Sequence, residues 1–453
     1  MNQNLPTPPL SSNVSKLPGL LLASLLIAPV VSAQTTYYWK VGENANLASS
    51  WGVNTDGSGA TPSSMSADNI LLTVQNGQDL NTFSSTMAVN GANSFVVLES
   101  GATVTAGSFN HNITLNLESN STYSVTSSYS NLNFNSIATD SNFVVGGSLN
   151  TVRDNPYGNL IYDSTGNSNT GSLTLTGNLT LNQGSIRATS FNSNGFNTIG
   201  GDVTINSGAT YQFGTANTPI TGTINVGGGL NNQGSLQNAG SFVTATLNFD
   251  GSGSSAATWG NHSGTFSVNI GTNKTITFQD TLTTTNGNVD VDGALIVADG
   301  QSVITGNGDI TIGGTLSSEP TAGSTIILNS DSGITFADGS TISLALGASG
   351  THSTLVLSGA GATNFDSDQN FLFLDDGMTP GEYDNLITGL ASDPGVGSWI
   401  IANSGWTGTF TFDGGNIDLN LAAIPEPRTT ALAIGGLLGT LTFFVRRRKA
   451  ATA

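Results

Sequence analysis

The sequence predicts an all-β chain: a right-handed parallel β-helix, or solenoid, with an N-terminal and a C-terminal cap and one C-terminal transmembrane helix. Three observations carry this expectation. Short runs such as Leu173-Thr174-Leu175-Thr176, Val203-Thr204-Ile205 and Ile310-Thr311-Ile312 alternate apolar with Thr or Asn. Period two sends one face inward and the other outward along a strand. Each run ends in Gly, Asn-Gly or Asp-Gly, and Gly184, Gly208 and Gly228 recur 24 and 20 residues apart. That is the chain length one solenoid coil uses. Between the two hydrophobic end segments no apolar residues recur with a 3.6-residue period, so no amphipathic helix is expected there. The competing architecture is a set of β-sandwiches, which would show longer strands and turns every 8–12 residues or so.

Residues 1–33 read as an export signal. Lys16 and the amino terminus give a positive end, and Leu20 to Val31 is an apolar core interrupted by Ser24 and Pro29. Val31-Ser32-Ala33 places small residues where a signal peptidase reads, with the cut between Ala33 and Gln34. The apolar run is too short for a comfortable membrane span.

Composition fits an exported protein. There is no cysteine, hence no disulfide or thiol chemistry. From Gln34 to Pro427, 29 acidic residues face only Lys40, Arg153, Arg187 and Lys274. A surface of that sign repels nucleic acid and excludes it as a partner. The steady supply of Val, Ile, Leu and Phe argues against disorder.

Residues 34–72 form the expected front cap. Tyr37-Tyr38-Trp39 and Trp51 precede Pro62 and an apolar strand after Asp68. Bulky aromatics here cover an exposed strand edge; a sugar-binding platform is the alternative reading. The pattern resembles the opening of bacterial passenger-type β-helices and autotransporter-associated repeat proteins. Residues 73–363 are the repeat region, whose Asn-rich turns suit side-chain ladders between stacked strands. Residues 364–421 are richer in aromatics, with Trp399, Trp406, Phe410 and Phe412, and carry hairpin signals at Ser404-Gly405 and Asp413-Gly414. They read as a terminal β cap over the last coil.

Residues 422–453 have three parts in order. Pro425-Glu426-Pro427 makes a stalk that can continue neither strand nor helix. Thr429 to Val445 carries no charge; as a helix it covers roughly 25 Å, which flanking cations extend by snorkelling. Arg446, Arg447, Arg448 and Lys449 belong on the cytoplasmic side. This order resembles the PEP-CTERM sorting signal of Gram-negative bacteria. The resemblance implies an exosortase-like membrane processing enzyme as partner, Pro425, Glu426 and Pro427 as its recognition motif, residues 429–445 as a temporary anchor, and residues 446–449 as the stop signal. It also implies a cell-surface or extracellular-matrix destination linked to exopolysaccharide or biofilm.

No catalytic constellation is expected. His111, His262 and His352 lie in polar turn-like contexts without a nucleophile motif. Carboxylate neighbours Asp290/Asp292 and Asp375/Asp376 read as solvated turn residues. No cofactor is expected; the single calcium candidate is Asp366, Asp368 and Asn370. It lacks the Gly of a calcium loop, where Phe371 stands, and a Glu at the twelfth position, which is Gly377. The reading is an exported, non-enzymatic structural or adhesive protein. The alternatives are a carbohydrate-active enzyme on the same scaffold and an uncleaved membrane-anchored adhesin.

Overall fold

The computed structural model describes residues 33–83, 89, 91–107, 113–126, 132–147, 152, 155–170, 173–188, 196–214, 222–239 and 245–424. The predicted signal core, sorting motif, anchor and basic tail lie outside these residues. Among them the chain is all-β, and helical structure is limited to the 3-10 turns Ala48–Ser50, Ala348–Gly350 and Val396–Ser398.

The strands stack in parallel, each against the strand one coil later. Ala245 faces Phe266, Val268 faces Val289 and Val289 faces Ile310, so these coils each advance 21 residues. Many strands alternate buried and more exposed positions, as in Gly222–Val226, Ala245–Phe249 and Phe266–Ile270. The register aligns them into continuous inner columns. Ile224, Leu247, Val268, Val289, Ile310 and Ile334 stand one above another, and every one is buried. Full burial of such a side chain contributes about 1.5–3 kcal/mol. A coil reaches that burial only through its neighbours above and below.

One ladder runs nearly the whole length, from Asp79–Phe83 to Ile400–Ile401, and all its pairings are parallel. It forks where coils bend: Leu179–Ala188 pairs through its first half with Val203–Ile205 and through its second half with Ala209–Phe213. These doubled pairings close the ladder in connectivity, yet each still steps one coil onward, which is the register of a stack and not of a barrel. A second ladder covers the early coils and ends at Leu132–Ile137. A third then runs from Pro156–Tyr157 to Ala362–Phe365, and a fourth opens at Leu282–Thr283. Antiparallel strand pairing occurs only at the two ends, which rules out β-sandwiches for the described residues. Strand lengths exceed the sequence expectation at Asn159–Thr170 and Leu179–Ala188, because the strand resumes its pairing beyond a coil corner after a register shift or a change of partner.

At the front, Thr35–Trp39 pairs in parallel with Ile70–Val74 and in antiparallel with Trp51–Gly52. Trp39 and Trp51 are buried, and Trp51 Nε1 donates to the Ala45 carbonyl at 2.8 Å. At the far end, Asp413-Gly414-Gly415-Asn416 turns a hairpin between Trp406–Asp413 and Asn416–Ala423. Gly414 and Gly415 both have positive φ, as the favoured two-residue hairpin turn requires. Ser404-Gly405 is a turn but not a hairpin: Trp406–Asp413 pairs onward with Asn416–Ala423 and not back with Ile400–Ile401. Trp399 packs on Phe365, Phe371 and Phe410 at ring distances of 5.1, 5.1 and 5.5 Å, closing the last coil.

Candidate functional site

The outward positions of the third ladder form a polar column. Thr198, Asn225, Asn248, Asn269, Asp290, Thr311, Thr335 and Asn364 follow one another in register. Strand spacing sets them about 4.8 Å apart. Asn248 Nδ2 donates to Asn225 Oδ1 at 2.9 Å.

A second polar line runs along a coil corner. Asn142 donates to Thr122 Oγ1, and Asn159 to Asn142 Oδ1 at 3.1 Å. Asn159 Oδ1 then accepts from the backbone N–H of Asn178, Asn178 Oδ1 from that of Asp202, and Asp202 Oδ1 from that of Gly229, each at 2.7 Å. Asn159, Asn178 and Asp202 each satisfy a backbone donor of the next coil where the turn leaves it unpaired.

This line ends at an open cleft of about 580 Å³. Thr204, Asn231 and Thr258 line it in register, with Asp202 and Ser254 also on its wall. The backbone around the cleft is pressed close: a Cβ on Gly229 would stand 2.1 Å from the Ala256 carbonyl oxygen. Next to it lies Lys274, only 2% exposed. Its Nζ donates to the Gly227 carbonyl at 2.6 Å and to Ser255 Oγ at 2.8 Å, and Ser255 lines the cleft. Burial pushes the lysine pKa down, and the negative charge of Asp202 works against that shift. The cleft therefore offers hydroxyls, an amide and one carboxylate. Such a set hydrogen-bonds an uncharged polyhydroxyl chain, as donor and as acceptor.

The candidate residues from sequence are scattered. Gln34 is exposed at the start of the fold, and its Nε2 donates to the Asn93 carbonyl at 2.7 Å; Ala33 is also exposed. Pro425, Glu426, Pro427 and Arg446 to Lys449 lie outside the described residues. At the calcium candidate, Asp366 accepts from Asn364, the Asp368 backbone donates to Asp338, and Asn370 Nδ2 donates to the Gly339 carbonyl. The Asp366 and Asn370 side chains thus have separate partners, and Asp368 is tied through its backbone. No group of three or more His, Asp or Glu is placed to hold a metal among the described residues.

The carboxylate pairs hold local geometry. Asp375 Oδ1 accepts from the backbone of Gly377 and Met378, and Asp376 Oδ2 from that of Ala322. Asp290 sits half-buried in the outward column. Burial raises its pKa, a hydrogen bond from Thr311 opposes the rise, and Asp292 and Asp309 add to it. His262 and His352 each place Nδ1 near a carbonyl two residues earlier, at 3.3 and 2.8 Å; His111 lies outside the described residues.

Sequence reasoning missed Lys274 and the cleft. Lys274-Thr275-Ile276-Thr277-Phe278 puts the lysine in phase with the inward Ile and Phe, and that phase was the available signal. The partners came from other coils and had none. No protein-family model, curated protein or solved structure matches this chain.

Proposed function

We propose that this chain is an exported, non-enzymatic matrix or surface protein that presents a rigid polar face to an uncharged polysaccharide. The observation that carries the reading is the outward polar register: one column of Thr, Asn and Asp crosses eight consecutive strands on a scaffold of stacked coils. A repeat of roughly 4.8 Å suits a polymer more than a small metabolite. The hydroxyl- and amide-lined cleft beside Lys274 supports the same class of ligand. In this reading the coil is right-handed, the hand of nearly all parallel crossovers. Residues 34–72 and 364–421 cap it.

Delivery follows from the ends of the sequence. The export signal is cut before Gln34, the 429–445 helix holds the chain in the inner membrane, and an exosortase-like enzyme releases it near Pro425–Pro427. Terminal peptides and intact mass of protein from its native host test delivery. A chain from Gln34 to the Pro-Glu-Pro motif is the expected product; a membrane-bound chain that keeps Arg446 to Lys449 refutes processing. Co-sedimentation with the host's purified exopolysaccharide tests the ligand. Failure to co-sediment overturns that part.

A further inference from the structure

At the far end of the solenoid one long strand has a single paired neighbour among the described residues. Trp406–Asp413 pairs with Asn416–Ala423, which pairs in turn with Gly381–Thr388. Among the described residues Trp406–Asp413 is the last strand of its sheet. A strand with one partner presents a row of backbone donors and acceptors to any second strand. Two other ends are blunted. Trp51–Gly52 lies against Thr35–Trp39 at the front, and Ile400–Ile401 is two residues long. Short length and covering are how edges are protected.

Trp406–Asp413 is eight residues long, and among the described residues no strand pairs with its other side. Its sequence, Trp-Thr-Gly-Thr-Phe-Thr-Phe-Asp, contains no Pro, Lys or Arg, and its only charge is at the end. Thr407, Thr409 and Thr411 are exposed on one face, while Phe410 is buried and Trp406 and Phe412 are half-buried on the other. β-Branched residues alternating with aromatics, broken only at Gly408, form a strand that pairs well.

We propose that this edge is an assembly surface for a second copy of the same chain, through a two-fold antiparallel pairing centred on Thr409. The occupant follows from the strand's self-complementarity. Opposed residues share a sheet face only if a residue faces one of its own parity. Centring on Thr409 sets Thr409 against Thr409 and Thr407 against Thr411 outside, and Trp406 against Phe412 and Gly408 against Phe410 inside. The Thr–Thr and Trp–Phe pairs are each favourable by about 0.2–1 kcal/mol. Charge agrees with the choice. In a chain with 29 acidic residues this register sets Asp413 opposite Gly405, so no two carboxylates of the paired strands meet. A two-fold contact uses the same surface on both copies and closes at a dimer. The inference goes beyond the matrix reading and does not depend on it.

The full chain, which has no cysteine, supplies a position-specific test. T409C places its only thiols directly opposite each other, with Cα atoms about 4.5–5.5 Å apart, inside the disulfide range of about 4.4–6.8 Å. T411C places its thiols opposite Thr407 of the other copy, out of reach. Under mild oxidation most of the T409C chain is expected as disulfide dimer and T411C as monomer. T409K and T409D alone are expected to be monomers by light scattering, and their equimolar mixture to pair again. Equal cross-linking of T409C and T411C, or a wild-type chain that stays monomeric through the high micromolar range, overturns the proposal. So does a dimer that survives T409K. A folded circular-dichroism spectrum for each variant separates loss of pairing from loss of fold.

Discussion

The ammonium of Lys274 donates to the carbonyl oxygen of Gly227 across 47 residues of chain, at 2.6 Å. Two coil steps separate these groups, since Val226 faces Phe249 and Phe249 faces Ile270 in the same ladder. With Ser255 Oγ on the coil between, one side chain ties three successive coils together. A cation at an inward position is stable here because its donors meet acceptors.

Removing that tie should loosen the middle of the solenoid. K274A leaves both acceptors without the ammonium and opens space for the lost stem, at an expected cost of about 2–5 kcal/mol. K274M keeps the stem and should cost about 1–3 kcal/mol. Urea unfolding followed by tyrosine and tryptophan fluorescence reads both. Equal costs would mean that stem packing contributes nothing. The pH dependence has a definite sign. The folded-state pKa lies below the ordinary lysine value of 10.5, so the unfolded chain holds the proton more tightly. Stability contributed by this group rises as pH climbs from the depressed pKa towards 10.5, and K274M should remove that rise.

Asp290 predicts the opposite behaviour. Its folded pKa lies above 3.8, through burial and the charges of Asp292 and Asp309. The folded state therefore binds the proton more tightly, and stability falls as pH rises from 3.8 through the raised pKa. D290N extends the run of Asn225, Asn248 and Asn269 by one position. At neutral pH it should stabilise by a few tenths to about 1 kcal/mol, with solvent screening setting the lower end. The gain should vanish below pH 3.8. A thermal-melt series against pH that shows no crossover would sink the assignment.

Asn197 is fully buried above Ile224 in the inner face. Its Oδ1 accepts from the Leu173 N–H at 2.7 Å, and its Nδ2 donates to Tyr211 Oη at 3.0 Å. N197A strands both partners in the core and should cost about 1–3 kcal/mol. Y211F removes one acceptor and should cost less. The ranking of the two urea midpoints is the check; a larger loss for Y211F contradicts it.

Two glycines should respond differently to alanine. At Gly287 a Cβ would stand 1.8 Å from the Phe266 carbonyl oxygen, a backbone atom of the neighbouring coil that cannot step aside. G287A should cost about 2–3 kcal/mol or more. Gly300 has a φ of +69° and open space around it, so G300A meets only the left-handed penalty of about 1–2 kcal/mol. Similar losses at both sites would show that coil spacing is not what requires Gly287.

Much of the architecture was legible because solenoid order is local. The alternation in Val289-Asp290-Val291 or Ile310-Thr311-Ile312 fixes which side chains turn inward, and glycine at the turns fixes where each coil bends. Trp39 and Trp51 marked the front, and Asp413-Gly414 marked the hairpin that closes the rear. The Asn-rich turns do become ladders, as Asn159, Asn178 and Asp202 show. What stayed hidden was everything that depends on which coil lies beside which. Coil steps vary from the 17 residues between Asn142 and Asn159 to the 35 between Thr35 and Ile70. No fixed period therefore predicts that Lys274 meets Gly227 or that Asp202 caps Gly229.

The sequence by itself determined the class of the fold, the inward and outward faces of its strands, and the acidic, cysteine-free surface. It did so because period two, turn chemistry and charge are properties of neighbouring residues. Only the tertiary structure decided the register. Stacking brought Asp202, Thr204, Asn231 and Thr258 to one cleft, placed Lys274 beside it, and, among the described residues, left Trp406–Asp413 at the edge of its sheet. The physical reason is that the parallel strands pair residues 17 to 35 apart in the chain. A loop inserted in any coil therefore changes its length without altering the local pattern on either side.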